Sequence, residues 1–217
     1  MAFNGSANIS TDDVPDRSEL FWRSEFKDFP ATVIPVLPLL YKQSTLETLK
    51  HNIDLACGEL DSVSASAALA LAWGLVLSQY TGIDDVFFFF GLGLKLESIE
   101  PSNKLIVLPF RLLVDPQELV TDAFCNTETK ITDGSTFEVS SSQELSNFGG
   151  EIAAACQYMN ILNIRQGQQK RPGGLQSTDT RKFPLVLNCE TRTNGVDMES
   201  LADPSAICIE LTRMRLH

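Results

Sequence analysis

Histidine is the scarcest chemically reactive residue in this chain of 217 residues, which contains only His51 and His217. The two histidines are not adjacent, and no cluster of His, Cys and carboxylate residues has the spacing of a metal site. The five cysteines include no CxxC pair, and an odd number does not suit a complete disulfide framework. The sequence therefore predicts no metal centre and no disulfide scaffold, and it favours a reducing, cytoplasmic environment.

Positive charge is also in short supply, since 17 basic residues stand against 28 acidic ones and the net charge is −11. Such a field repels phosphate backbones and anionic lipid surfaces, so we expect neither nucleic acid nor membrane as a partner. The short basic run at 165–174 is typical of a solvated loop. The longest apolar runs end before the ~20 residues that span a bilayer, and the N-terminus has no secretory signal pattern. We expect a soluble protein.

Two short motifs come close to known catalytic or cofactor-binding patterns but lack what the chemistry needs. Gly91-Leu92-Gly93 has neither the third glycine nor the following helix of a dinucleotide site. Ser24 and Lys27 have the Ser-x-x-Lys spacing of serine acylases, but this pattern is common by chance and here falls on a helix that serves packing. The residues by themselves predict no catalytic constellation.

Hydrophobic periodicity predicts an α/β chain with a mixed sheet flanked by helices, after a flexible segment at 1–17. Residues 132–148 and 166–182 are predicted loops. The predicted helices are Ser18–Phe26, Ser64–Tyr80, Asp115–Thr129 and Glu151–Gln157. The predicted strands are Leu49–Ala56, Asp84–Phe90, Lys104–Val114, Tyr158–Arg165, Phe183–Glu190 and Val196–Ser200.

Local signals mark several element boundaries. Ser64 or Ser66 is expected to cap the longest helix, and Gly82 to adopt the left-handed conformation just after it. Its core-facing stripe is predicted to comprise Leu69, Ala72, Trp73, Val76, Leu77 and Tyr80. Asp115 with Pro116 and Glu118 has the pattern of a capped helix start, and Asn194-Gly195 that of a tight hairpin turn.

Five segments in order resemble the C-terminal lobe of the condensation domain of nonribosomal peptide synthetases, from Ser18 to about Ile207. They are SELFWRSEF with PVLP, the run ASAALALAWGLVLSQYTGIDDVFFFFG, LPFRLLVDPQELV, AAACQYMNILNIRQ and FPLVLNCETRTNGVDME. The resemblance implies a fold like that of chloramphenicol acetyltransferase, in which two α/β lobes enclose a tunnel for two carrier-tethered thioesters. Its reaction, a step of secondary metabolism, is attack of an acceptor amine on a donor thioester to form an amide.

The same resemblance implies where the chemistry resides. The family's His-His-x-x-x-Asp-Gly motif belongs to the N-terminal lobe, and this sequence has no adjacent histidines. We therefore expect residues 18–217 to form a C-terminal lobe without its catalytic partner, inactive by itself. No directly bound cofactor is expected, because phosphopantetheine would be presented by partner carrier proteins.

The resemblance also implies roles for four residues. Gly91 and Gly93 match the start of the segment that floors the tunnel, although a buried strand and turn without a crossing segment would suit the same residues. Trp73 matches a structural position, and Arg111 matches either a structural position or a contact with the tunnel. Arg111, on an apolar strand, is expected to need a carboxylate partner. The family's Ser-Gly-Arg is missing from 92–98, its Gly-Pro and Asn are replaced by Ser102-Asn103 and Ile106, and 55–64 is shortened. These departures suggest relaxed demands on the tunnel.

Two other functions remain open at this point. The chain could be a non-catalytic module that binds a carrier protein or a separate N-terminal lobe, although an acidic surface does not favour acidic carrier proteins. It could also belong to an acyltransferase of the same broad fold with an acyl-coenzyme A donor, which would again require an active-site histidine. In either case, an uncovered seam predicts self-association or marginal stability.

Overall fold

The computed structural model describes residues 17–29, 46–54, 62–92, 106–137, 147–156, 160–166, 183–192 and 194–204. Their elements are four helices and six strands. The helices are α1 (Arg17–Glu25), α2 (Ser62–Thr81), α3 (Val120–Thr136) and α4 (Gly150–Ala155). The strands are β1 (Glu47–Asp54), β2 (Asp85–Leu92), β3 (Ile106–Leu113), β4 (Asn160–Gln166), β5 (Leu185–Arg192) and β6 (Gly195–Ala202).

All six strands form one mixed sheet in the order β1-β6-β5-β4-β2-β3. The adjacent strands β2, β4 and β5 are parallel, whereas β3, β6 and β1 are added in antiparallel pairs at the two sides. The predicted α/β class with a mixed sheet between helices is confirmed. Because β2, β4 and β5 run in one direction, their carboxyl ends meet at one edge of the sheet.

The phenylalanine strand β2 lies inside the sheet and supplies core residues to both of its faces. Phe88 and Phe90 pack into the cluster beneath α2 and α3, which we call the α2/α3 face. Phe87 and Phe89 pack on the opposite side, the α1/α4 face. All four rings are at most 3% exposed. An uninterrupted apolar run suits this position, because alternate side chains of a strand point to opposite faces.

Helix α2 lies on the sheet by a different stripe from the predicted one. Its buried positions include Ala67, Ala70, Leu71, Gly74 and Leu77, whereas Ala72, Val76 and Tyr80 of the predicted stripe are exposed. The helix is apolar on every side, so periodicity does not single out one face. The small residues Ala67, Ala70 and Gly74 allow close packing.

The ends of α2 also differ in part from expectation. The helix begins at Ser62, so Ser64 and Ser66 lie inside it, and the Ser64 hydroxyl donates to Glu128 of α3 at 2.5 Å. At the other end the prediction is confirmed, since Gly82 has a φ of +70° and its N–H bonds the Ser78 carbonyl at 2.8 Å.

Residues Val63–Thr81 of α2 are long and apolar enough to cross a membrane, with a mean hydropathy of 1.3 over 19 residues. This differs from the expectation that no segment reaches that length. Length and composition are weak criteria, because a core helix of a soluble domain also meets them. In the fold, α2 packs against β2, β4 and α3.

Helix α3 begins four residues after the predicted Pro116 and continues into the predicted loop at 132–148. Asp115 instead makes a turn, in which its Oδ1 accepts from the Gln117 N–H at 2.8 Å. The helix starts after Leu119, which provides no side-chain cap. In the last turn, the Thr136 hydroxyl donates to the Thr132 carbonyl at 3.2 Å.

The helix α1 begins and ends one residue before the predicted bounds. The sequence pattern puts Leu20, Phe21 and Phe26 near one face; Phe26 is buried and Phe21 half-buried, whereas Leu20 is 52% exposed and Trp22, outside that set, is 2% exposed. The strand β1 begins at Glu47, two residues before its predicted start at Leu49. Its predicted end at Ala56 lies outside the described residues. Sequence periodicity does not fix the rotation of so short a helix or the end of an edge strand.

The hairpin between β5 and β6 turns one residue earlier than predicted. Arg192 pairs with Gly195, so the two connecting residues are 193 and 194, and Gly195 is the first residue of β6. The requirement for glycine comes from packing, because a Cβ at this position would lie 2.3 Å from the Ile53 carbonyl oxygen of β1.

Two helical glycines give opposite predictions for substitution by alanine. A Cβ at Gly134 would make ordinary contacts with Trp22 at 3.7 Å and Leu108 at 3.8 Å, whereas one at Gly74 would lie 2.2 Å from Leu112. Gly134→Ala should raise the free energy of unfolding by about 0.5–1 kcal/mol through helix propensity. Gly74→Ala should lower it by about 1–2 kcal/mol by overpacking. Urea denaturation measures both, and equal effects would contradict the described packing.

The thiol of Cys189 is buried on the α2/α3 face. We expect this burial to lower the free energy of unfolding at alkaline pH. Burial raises the pKa of Cys189 to about 12, so this thiol stays protonated in the folded state while it ionises in the unfolded state. Stability should therefore fall as pH rises above the unfolded pKa of about 8.5, by up to about 1.4 kcal/mol per pH unit. Cys189→Ala should flatten this slope between about pH 9.5 and 11. The same slope in both proteins would contradict the prediction.

Candidate functional site

The edge formed by the carboxyl ends of the parallel strands is where ligands bind in open α/β sheets. Gly91 lies one residue before the end of β2. It pairs in register with Asn163 in the middle of β4, which pairs with Asn188 in the middle of β5, and all three are on the α1/α4 face. Gly91 is buried. Gly93, predicted with Gly91 to begin the tunnel floor, lies outside the described residues, as does the rest of the predicted crossing segment through residue 105.

The two asparagines Asn163 and Asn188 form a pair that sequence reasoning missed. The Asn163 Nδ2 donates to Asn188 Oδ1 at 3.0 Å, and Asn163 is completely buried. Its own Oδ1 accepts no hydrogen bond within the described part of the chain. The signal was present in the sequence, because an asparagine within an apolar strand such as NILNI normally needs a buried partner.

The predicted carboxylate partner of Arg111 is Asp85 on the neighbouring strand β2. The guanidinium binds it through two hydrogen bonds, Nε to Oδ1 at 2.9 Å and Nη2 to Oδ2 at 2.7 Å. Arg111 Nη1 also donates to the carbonyls of Glu25 and Lys27, each at 2.9 Å, where α1 ends. The hydrogen bond to Asp85 raises the pKa of Arg111, with smaller contributions from the negative charges of Asp85, Glu25 and Asp28.

Lys130 adds a second cation to the contacts that hold α1 against β3 and α3. We call this cluster of Arg111, Asp85, Glu25 and Lys130 the joint. Lys130 of α3 donates to Glu25 Oε1 at 2.6 Å and to the backbone carbonyl of Arg111 at 3.1 Å. The Trp22 indole donates to the Phe137 carbonyl at 3.1 Å. The cleft between these elements has a volume of about 50 Å³. Such a volume admits a few waters and no thioester substrate, so the charged cluster joins elements rather than forming a reaction site.

Trp73, the other predicted structural residue, lies on α2 and packs partly buried against the α2/α3-face core. Its indole Nε1 is buried and has no acceptor among the described residues. The indole therefore contributes packing surface and makes no polar contact that would assign it to a site.

The histidine that the structure describes is far from the carboxyl edge of β2. His51 lies half-buried on β1, four strands away from β2, which corresponds to about 19 Å of sheet. His217 lies outside the described residues. Within the ranges given above, no group of three His, Cys, Asp or Glu side chains could hold a metal ion.

The chain is similar in sequence to fungal nonribosomal peptide synthetases, although no protein-family model matches it. It is 24% identical over 210 residues to nonribosomal peptide synthetase chyA of Penicillium rubens, covering 87% of this chain and 9% of the relative. It is 27% identical over 203 residues to otaB of Aspergillus niger, covering 87% and 11%. D-lysergyl-peptide-synthetase subunit 1 of Claviceps purpurea is 24% identical over 210 residues, covering 89% and 6%. The chain spans only about a tenth of these relatives.

Solved condensation domains share its fold. The starter condensation domain of rhizomide synthetase RzmA superposes with a TM-score of 0.63 at 14% identity, covering 90% of this chain and 47% of that one. A mutant of the same domain gives a TM-score of 0.66 at 15% identity, covering 90% and 48%. The resemblance to a condensation-domain lobe of the chloramphenicol-acetyltransferase type is confirmed, and the chain corresponds to about half of such a domain.

Removal of Arg111 tests the joint. Arg111→Met should lower the free energy of unfolding by about 3 kcal/mol, because Asp85 would stay half-buried without its cation. Arg111→Lys should lose about 1–2 kcal/mol, since an ammonium cannot reproduce the forked contacts. The double variant Arg111→Met with Asp85→Leu should recover part of the loss.

The matched control is Lys50→Met, which removes an exposed ion pair with Glu199 at 3.1 Å and should cost less than about 1 kcal/mol. Chemical denaturation of the wild type and these four variants gives the free energies of unfolding to be compared. Equal losses for Arg111→Met and Lys50→Met would show that the joint contributes no more than a surface pair.

Proposed function

We propose that this chain supplies the C-terminal lobe of a condensation domain in nonribosomal peptide synthesis and forms no amide by itself. The observation that carries the proposal is the fold. Nine-tenths of the chain superposes on condensation domains and fills about half of each. Its relatives of similar sequence are fungal nonribosomal peptide synthetases.

The positions of the histidines support the proposal that the chain forms no amide by itself. Acyl transfer to an amine in this family is expected to need an imidazole at the seam between the lobes. His51 is on the edge strand β1, far across the sheet from the carboxyl edge of β2, and no adjacent histidines occur in these 217 residues. The reactive imidazole would therefore come from residues outside this sequence.

The chain's own residues would then act by shaping one wall of the tunnel. Gly91, which the resemblance matches to the start of the tunnel floor, would belong to that wall, and it pairs in register with Asn163 of the Asn163–Asn188 pair. Carrier proteins would bring both thioesters on phosphopantetheine arms, so the arm is part of the substrate and no cofactor is resident in the lobe. Arg111 and Trp73 would serve the lobe's structure, as the contacts of Arg111 with Asp85 and α1 suggest.

The alternative is a lobe that docks a carrier protein or a partner lobe without any catalysis. The intact core of both sheet faces favours neither function over the other, because both need the folded lobe. The two differ in what happens when an imidazole is supplied.

Amide formation is the readout that separates them. We expect no product from the chain alone with aminoacyl and peptidyl carrier proteins, and product when the N-terminal lobe of a relative, carrying the His-His-x-x-x-Asp-Gly motif, is fused before Ser18. His51→Ala should leave this product unchanged, whereas alanine at the motif's second histidine should abolish it. Product from the chain alone would contradict the proposal, and a folded, inactive fusion would favour the docking module.

A further inference from the structure

The two edges of the sheet differ in how well they are protected against pairing with another strand. On one side, β3 carries Pro109, which has no N–H to offer to a further strand, and the joint at Arg111 holds α1 beside it. On the other side, β1 contains neither Pro nor Gly and pairs only with β6 among the described strands. Natural sheets usually blunt such an edge.

The strand β1 is regular enough to act as a template. All eight of its residues, from Glu47 to Asp54, pair in continuous register with β6 and without a bulge. Alternate residues of such a strand direct both their N–H and C=O groups away from the sheet. Since no described strand pairs with the outer side of β1, this side presents a row of backbone donors and acceptors to which no described strand is bonded.

Symmetry restricts how a second copy can pair there. A two-fold axis perpendicular to the sheet keeps each face on its own side, so opposed residues must share a face. Lys50, Asn52 and Asp54 share the α1/α4 face, because their partners on β6 include Glu199 and Asp197. His51 and Ile53 share the other face.

The charges of β1 favour one of the allowed registers. With Asn52 opposite Asn52 of the second copy, Lys50 lies opposite Asp54 twice, and no like charges face each other. Moving one strand by two residues would place His51 opposite His51 and Lys50 opposite Asn52, which gains no opposite charges, and moving it by four would place Lys50 opposite Lys50. Asp54 is exposed and makes no ion pair within the described residues, whereas Lys50 binds Glu199 at 3.1 Å with two-thirds of its side chain exposed.

We propose that β1 is an interaction surface for a second copy of this chain, joined by antiparallel β1–β1 pairing into one continuous sheet. In this arrangement, each Lys50 lies between Glu199 of its own chain and Asp54 of the other. Half-buried Ile53 gains an apolar neighbour in the His51 ring of the second copy. The short overlap predicts a weak, reversible dimer. The inference is independent of the proposed function.

Charge reversal with rescue tests the pairing by sedimentation velocity over a range of concentrations. Lys50→Glu and Asp54→Lys should each raise the dissociation constant of the dimer by about tenfold, because like charges then face each other twice. The combined variant restores opposite charges and should return to within about threefold of the wild type. Lys27→Glu and Asp133→Lys, the same charge changes beside the β3 edge, should leave the constant unchanged.

A second measurement on the unmodified chain does not depend on any variant folding. Amide hydrogen exchange along β1 should slow as protein concentration rises, at alternate residues only. A wild-type chain that stays monomeric up to about 0.5 mM would overturn the proposal. So would a dimer that neither single reversal weakens, or one that the combined variant does not restore while its circular dichroism spectrum is unchanged.

Discussion

The ion pair between Arg111 and Asp85 is the contact on which the arrangement of this lobe depends. It joins β3 to β2 by two short hydrogen bonds and reaches the last carbonyls of α1 with a third nitrogen. A helix end leaves such carbonyls without partners, so the guanidinium both neutralises Asp85 and closes α1 onto the sheet. On the same side, Phe26 packs against Phe87 and Trp22 packs against Phe26 in the α1/α4-face core.

Because α1 is held at this end, both faces of β2 are covered and the phenylalanine strand lies in the interior. The parallel strands β2, β4 and β5 end towards one side of the sheet, and on the α1/α4 face the polar pair Asn163 and Asn188 follows the apolar row of Phe89, Ile161 and Val186. The apolar core of this face therefore ends at the polar pair, whereas Ile164 and Cys189 of the next row still build the α2/α3-face core.

Sequence reasoning identified the elements and their class but not the orientation of the apolar helix. The alternating and continuous apolar patterns predicted all six strands, and the need of a buried guanidinium for a carboxylate anticipated an Arg111 partner without naming Asp85. The face of α2 was wrong because an apolar surface on all sides gives no direction, and its choice was made by the small residues that fit the sheet. The start of α3 was wrong because Asp115 has a competing use in a turn. The Asn163–Asn188 pair needed the strand order, which a sequence of mixed elements does not fix.

If the lobe is half of a two-lobe domain, we expect its seam at the carboxyl edge of the parallel strands, where ligands bind in open α/β sheets. Amide hydrogen exchange of the chain, with and without a separately expressed N-terminal condensation lobe of a relative, tests this most directly. We predict slowed exchange at Gly91 and Leu92, the last two residues of β2, with β6 unchanged. An N-terminal lobe that binds without protecting that edge, or that does not bind at all, would contradict this placement of the seam.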